Sequence, residues 1–150
     1  MRRAFLKLLA GAALALLLPV VSGAQPTAGQ PVEAVKVVYH LTEGIEQASR
    51  AMSNIRNHLR ADPSVKIVVV ANGEGIRFLL GGALERNGKP FEEAVSKLAA
   101  QGVEFRVCEN TLTSHDVPRS SLLPEAKLVP SGVAEVARLQ AREGYAYLRP

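Results

Sequence analysis

The sequence predicts a single α/β domain built on an open, mostly parallel sheet with helices on both faces. Three observations predict it. Short β-branched runs alternate with segments whose apolar residues recur at helical spacing, the pattern of strands joined by crossover helices. One of those runs, Val65 to Ala71, is apolar at every position but Lys66, as a strand covered on both faces requires. A chain of 150 residues, 47% hydrophobic and 21% charged, holds one core and not two.

Residues 1–24 read as an export signal. Arg2, Arg3 and Lys7 give a positive start, Leu8 to Val21 an apolar stretch broken at Pro19, and Ser22-Gly23-Ala24 a small-residue cleavage site. The stretch is shorter than the roughly 20 residues of a spanning helix, so cleavage after Ala24 is expected, with no membrane attachment afterwards. Arg2-Arg3-Ala4-Phe5-Leu6-Lys7 resembles a twin-arginine signal, whereas the short basic start and Leu-rich core suit the general secretory route. Either route delivers the protein to the periplasm. Residues 25–31, uncharged and without periodicity, read as a flexible tether, which leaves 32–150 as the folded domain.

Within that domain, Val35 to His40 is β-branched and forms the first strand, ended by Thr42-Glu43-Gly44. Ile45, Ala48, Met52, Ile55 and Leu59 line one stripe of a helix that Asp62-Pro63 stops. After the Val65–Ala71 strand, Asn72-Gly73-Glu74-Gly75 turns the chain into a short helix carrying Ile76, Leu79, Leu80, Ala83 and Leu84. Asn87-Gly88-Lys89-Pro90 is a turn, and a second helix runs from Phe91 to Gln101, closed by Gly102. Val103 to Cys108 alternates strictly, the mark of a strand buried on one side only. Asn110 or Thr111 then caps a short helix through Thr113, and residues 118–124 form a loop. Lys127 to Pro130 is a short strand. Ser131-Gly132 opens the last helix, Gly144 closes it, and Tyr145 to Leu148 is a terminal strand or arm.

The net charge of +4 invites a nucleic-acid reading, which its distribution removes. Three of the 18 Lys and Arg residues lie in the signal, leaving 15 against 14 Asp and Glu, interspersed along the chain. No nucleic-acid partner is expected.

In an open parallel sheet, ligands bind beyond the carboxyl ends of the strands, where loops diverge and helix N-termini face the opening. The residues there are His40, Asn72 with Gly73, and Cys108, followed by Asn110 and Thr111; these are the candidate site. Cys108 is the single cysteine, so no intramolecular disulfide forms, and in an oxidising compartment such a thiol is buried filler, an intermolecular partner or a reactive group. A position before a helix N-terminus favours the thiolate, Glu109 opposes it, and Arg106 favours it if its side chain turns toward the sulfur. His40 and His115 with Cys108 lack the close-spaced pair of a metal site, and no metal or other cofactor is expected. Ser114-His115-Asp116 is no catalytic triad, because consecutive side chains cannot converge. Asn72-Gly73-Glu74-Gly75 lacks the spacing and Lys-Ser/Thr of a phosphate loop.

Phe105-Arg106-Val107-Cys108-Glu109-Asn110-Thr111-Leu112, then Leu123-Pro124 and Val129-Pro130-Ser131-Gly132-Val133-Ala134-Glu135, resemble the DsrE/DsrF-like family. So do Val37-Val38-Tyr39-His40 and the ending from Leu139-Gln140 to Gly144-Tyr145-Ala146-Tyr147. The resemblance implies a five-stranded, largely parallel sheet and association into trimers or hexamers. In the sulfur-relay branch of that family, a cysteine after the corresponding strand carries a persulfide and passes its outer sulfur to a partner. Cys108 stands at that place. Those relays are cytoplasmic, whereas this chain carries an export signal, so their donors and acceptors need not accompany it.

The expected function is therefore a periplasmic carrier of sulfane sulfur on Cys108, meeting a donor or acceptor protein and acting as a sulfurtransferase-like carrier rather than a turnover enzyme. A non-catalytic oligomeric module with an idle Cys108, or a thiol- or metal-dependent enzyme, are the competing readings. A homo-oligomer is expected in addition, because the alternating strand and the aromatic Tyr145–Leu148 arm need cover.

Overall fold

Five strands, all parallel, form one sheet in the computed structural model, which describes residues Glu33–Pro150. The expected signal (1–24) and tether (25–31) lie outside the described residues. In chain order the elements are β1 (Lys36–Leu41), α1 (Ile45–Ala61), β2 (Lys66–Ala71), a 3-10 helix over Gly73–Leu79, α2 (Phe91–Ala99) and β3 (Glu104–Cys108). They continue with α3 (Glu109–Ser114), a 3-10 turn at Arg119–Ser121, β4 (Ala126–Val129), α4 (Gly132–Glu143) and β5 (Ala146–Leu148).

The spatial order is β4-β3-β2-β1-β5. The chain steps from β1 to β4 in one direction and then returns across the whole sheet to place β5 beside β1. Right-handed crossovers put connections that run in opposite directions on opposite faces. The first face accordingly carries α1, the Gly73–Leu79 helix, α2 and α3, packed on Val37, Tyr39, Leu41, Ile67, Val69, Ala71, Phe105 and Val107. The second face carries α4, whose Val136 and Leu139 pack on Val38, Val68 and Val70. The expectation of helices on both faces holds, with one long helix serving the second.

Burial follows the side-chain period. In β2 every residue after Lys66 is buried, while β3 alternates, with Phe105 and Val107 in the core and Glu104 and Arg106 toward the second face. Phe78, Phe91 and Phe105 are fully buried and meet edge to face, with centroids 5.6 and 6.1 Å from the Phe78 ring. Each such ring stabilises the fold by about 1.5–3 kcal/mol through burial, and together they lock the Gly73–Leu79 helix to α2 and β3.

Three expectations are corrected. The helix after Gly75 is 3-10 and stops at Leu79; Leu80 pairs with Leu122 in an antiparallel bridge, and Leu84, exposed, bridges Pro90. Gly81-Gly82 falls inside the apolar stripe that suggested a longer helix and ends the helical backbone there, with Gly82 at a positive φ of 81°. Gly75 also presses on β1, since a β-carbon there would stand 2.1 Å from the Leu41 carbonyl oxygen. Second, α2 ends at Ala99 rather than Gln101, and Gly102 at φ 92° turns the chain into β3. Third, neither Asn110 nor Thr111 caps α3: the helix starts at Glu109 directly from the strand, so the N-cap position is Cys108 and both residues lie inside the first turn.

Candidate functional site

Cys108 ends β3 where neighbouring strands send their helices to opposite faces. α3, after β3, puts Leu112 into the first core, and α4, after β4, crosses the second. Such a reversal opens a crevice at the carboxyl edge of a parallel sheet. Ser131 caps α4 by accepting from the Ala134 N–H at 3.4 Å. Gly132, the first residue of α4, then lies against the crevice so closely that a β-carbon would stand 3.2 Å from Cys108 Cβ and 3.0 Å from Asn72 Cβ.

Cys108 is 5% exposed. Burial pushes its pKa up, but the Thr111 hydroxyl and the backbone N–H groups of Gly132, Thr111 and Asn110 outweigh that and hold it below the ordinary thiol value. Thr111 is well placed to donate because its Oγ1 already accepts from the Gly73 N–H at 3.1 Å, which leaves the hydroxyl hydrogen for the sulfur. The Asn110 N–H also reaches the Pro130 carbonyl at 3.3 Å and so is shared. Gly73 thus supports the site through Thr111 rather than lining it alone.

Two electrostatic expectations change. Arg106 turns away from the sulfur to Glu135 on α4 and to Glu104, the latter at 3.0 Å. Its guanidinium ties α4 to β3 and does not act on the thiolate. Glu109 is paired with Arg119, so its charge is offset instead of opposing Cys108.

A polar row crosses four adjacent strands on the same face. Tyr147 Oη of β5 lies 3.1 Å from His40 Nδ1 at the end of β1, and His40 Nε2 lies 2.6 Å from Asn72 Oδ1 just beyond β2. The register that pairs Ala71 with Val107 brings Asn72 opposite Cys108. His40, Asn72, Gly73, Cys108, Asn110 and Thr111 therefore gather at one edge. Tyr147 was missed as a site residue; the only sequence signal was an aromatic arm, and the contact depends on β5 pairing with β1. His115 stands instead beside Glu74 at 3.8 Å, and among the described residues no three His, Cys, Asp or Glu side chains gather as metal ligands.

The fold and this edge define a parallel α/β protein with one thiol at the reversal point of its sheet. The chain belongs to the DsrE/DsrF-like family, which matches residues 36–150. It is similar to the solved structure of MTH1491 from Methanobacterium thermoautotrophicum, a protein of unknown function: 36% identity over 77% of this chain and 99% of that one, TM-score 0.69. The crystal structure of the ychN protein from E. coli shares the fold at 13% identity, 78% and 98% coverage and TM-score 0.62. No curated protein matched the chain.

Proposed function

We propose that this chain is an exported carrier of sulfane sulfur that holds its cargo as a persulfide on Cys108. The observation that carries this reading is the seat of Cys108 at the N-cap position of α3 with Gly132 at the start of α4 packed against it, where Thr111, Gly132 and Asn110 act to hold the thiol pKa low despite burial. Family membership supports it, as does the signal-like pattern of residues 1–24.

The chemistry is an exchange at constant oxidation level. The Cys108 thiolate attacks the outer sulfur of thiosulfate, the donor S–S bond breaks, and sulfite leaves with the electron pair; with polysulfide, the shortened polysulfide leaves. The product is Cys108–S–S⁻, and no separate oxidant is consumed. In delivery an acceptor thiolate attacks the outer sulfur and Cys108 departs as thiolate, the easier because its pKa is low. The chain has no second cysteine to attack the inner sulfur and expel the cargo as sulfide.

Delivery is tested by cyanolysis. Protein incubated with thiosulfate, desalted and treated with cyanide yields one thiocyanate per chain, and Cys108→Ser yields none; equal thiocyanate from both would overturn the assignment. The 5% exposure of Cys108 favours a second reading, a non-catalytic oligomeric module with an idle thiol. Under that reading a small alkylating agent labels Cys108 only after unfolding.

The carrier works as a homo-oligomer, a trimer or hexamer. Among the described residues edge strand β5 pairs on its β1 side alone and leaves Tyr147 and Leu148 two-fifths exposed, and Val133 beside the site is more exposed still. A sedimentation mass of one mature chain at micromolar concentration would contradict this. Among the described residues no helix is long and apolar enough to cross a membrane. N-terminal sequencing of protein recovered from the periplasm is expected to begin at Gln25; a chain retaining Arg2 and Arg3 would contradict cleavage.

A further inference from the structure

We propose that Tyr147, His40 and Asn72 form a positioning relay that turns the Asn72 amide NH2 onto the anionic sulfur of Cys108, and onto the outer sulfur once a persulfide is loaded. The inference deepens the carrier reading and rests on it for the second clause only.

β1 and β3 flank β2 on opposite sides. Asn72 Oδ1 is engaged on the β1 side by His40 Nε2 at 2.6 Å, so the amide nitrogen of the same planar group is presented toward β3, where Cys108 lies opposite. Among the described residues the one side-chain hydrogen bond of Asn72 is made by Oδ1, so the amide nitrogen is uncommitted and makes no bond to the neutral Cys108 thiol; it is available to an anionic sulfur. Gly132 lets the two side chains share the space, since its absent β-carbon would meet Asn72 Cβ at 3.0 Å and Cys108 Cβ at 3.2 Å.

An amide has no intrinsic orientation here; its neighbours impose one. Asn72 Oδ1 can only accept, so Nε2 carries the ring hydrogen, and Nδ1 of a neutral His40 is left to accept from the Tyr147 hydroxyl. In a protonated ring Nε2 carries a hydrogen as well, so in both states His40 donates to Asn72 Oδ1. The reversed amide would aim an oxygen at an anionic sulfur, which is repulsive. With a neutral His40 every donor in the row runs from β5 toward Cys108; in the protonated ring Nδ1 donates back to Tyr147, and the bond from Nε2 to Asn72 keeps its direction. A persulfide carries its charge on the outer sulfur, one bond further into the crevice, and a side-chain amide reaches that position as the backbone donors around the inner sulfur do not.

The pH profile of Cys108 alkylation in the full chain tests the relay without any sulfur donor. Asn72→Ala is expected to move the profile upward and slow the reaction at neutral pH about tenfold, the equivalent of one unit. Tyr147→Phe and His40→Leu move it the same way by about threefold, whereas His40→Gln, which retains a donor toward Asn72, stays near the parent. Adding Tyr147→Phe to Asn72→Ala produces no further shift, because Tyr147 acts through the amide. Superimposable profiles for Asn72→Ala, Tyr147→Phe and the parent would overturn the relay, as would additive effects of the two substitutions. Tyr147→Phe alters an exposed side chain and keeps the test open if Asn72→Ala fails to fold. Shifted profiles in a protein that takes up no sulfane sulfur would retain the relay and defeat the carrier reading; sulfur uptake with unshifted profiles would do the reverse.

Discussion

Gly132 and Cys108 approach so closely that the space for a β-carbon on the first is 3.2 Å from the β-carbon of the second. The first peptide of α4 reaches the sulfur because nothing protrudes between them, and the Gly132 N–H is among the groups that hold the thiol pKa down.

Gly132→Ala is therefore expected to push the start of α4 off the crevice. Alkylation of Cys108 at neutral pH slows about threefold to tenfold, and stability falls by about 1 kcal/mol, the scale of modest overpacking. Alkylation rates and urea midpoints check both. A rate equal to the parent would show that the helix start does not act on the sulfur.

Thr111 is the second handle, since its hydroxyl accepts from Gly73 and faces Cys108. Thr111→Val keeps the shape and removes both bonds, so the thiol pKa rises toward its ordinary value of about 8.5 and the alkylation profile moves with it. Stability drops by about 1–2 kcal/mol, as the Gly73 N–H loses its acceptor. Thr111→Ser retains both bonds and is expected to restore the profile; failure of serine to do so would assign the effect to packing.

Glu135 governs how the second face responds to acid. Its side chain is 12% exposed; Arg138 first, and Arg106 with it, hold its carboxyl below the usual carboxylate range against the opposing effect of burial. A carboxyl depressed in the folded state stabilises fully above its unfolded pKa, and that stabilisation is lost as pH falls through the folded value. Glu135→Gln should cost about 2 kcal/mol at neutral pH, with the difference shrinking as pH falls below the ordinary glutamate pKa of about 4.5. Urea unfolding at neutral and acid pH measures this. A difference independent of pH would remove the ion-pair explanation.

Much of this was legible because it is local. The continuous run of β2, the alternation of β3, Ser131 at the start of α4 and Gly144 at its end, with φ 72°, follow from side-chain period and capping chemistry. Cys108 at a strand end follows from the same reasoning. The illegible features all depend on distant pairing. Ile76, Leu79, Leu80, Ala83 and Leu84 fit an α-helical stripe, but the tight seat of Gly75 on the Leu41 carbonyl and the Leu80 to Leu122 bridge impose another path. Arg106 finds Glu135 far along the chain, and His40 finds Tyr147 only after α4 has crossed the sheet. Thr111 resembled a helix cap, and its actual partner is the Gly73 N–H.

The intact mass of the protein after incubation with thiosulfate or polysulfide tests the central claim most directly. One added sulfur atom per chain is expected, removable by reductant and absent in Cys108→Ser, with oligomer size and thermal midpoint of that variant near the parent's. An unchanged mass in the parent, together with a large loss of stability in Cys108→Ser, would contradict the carrier function and identify Cys108 as core packing.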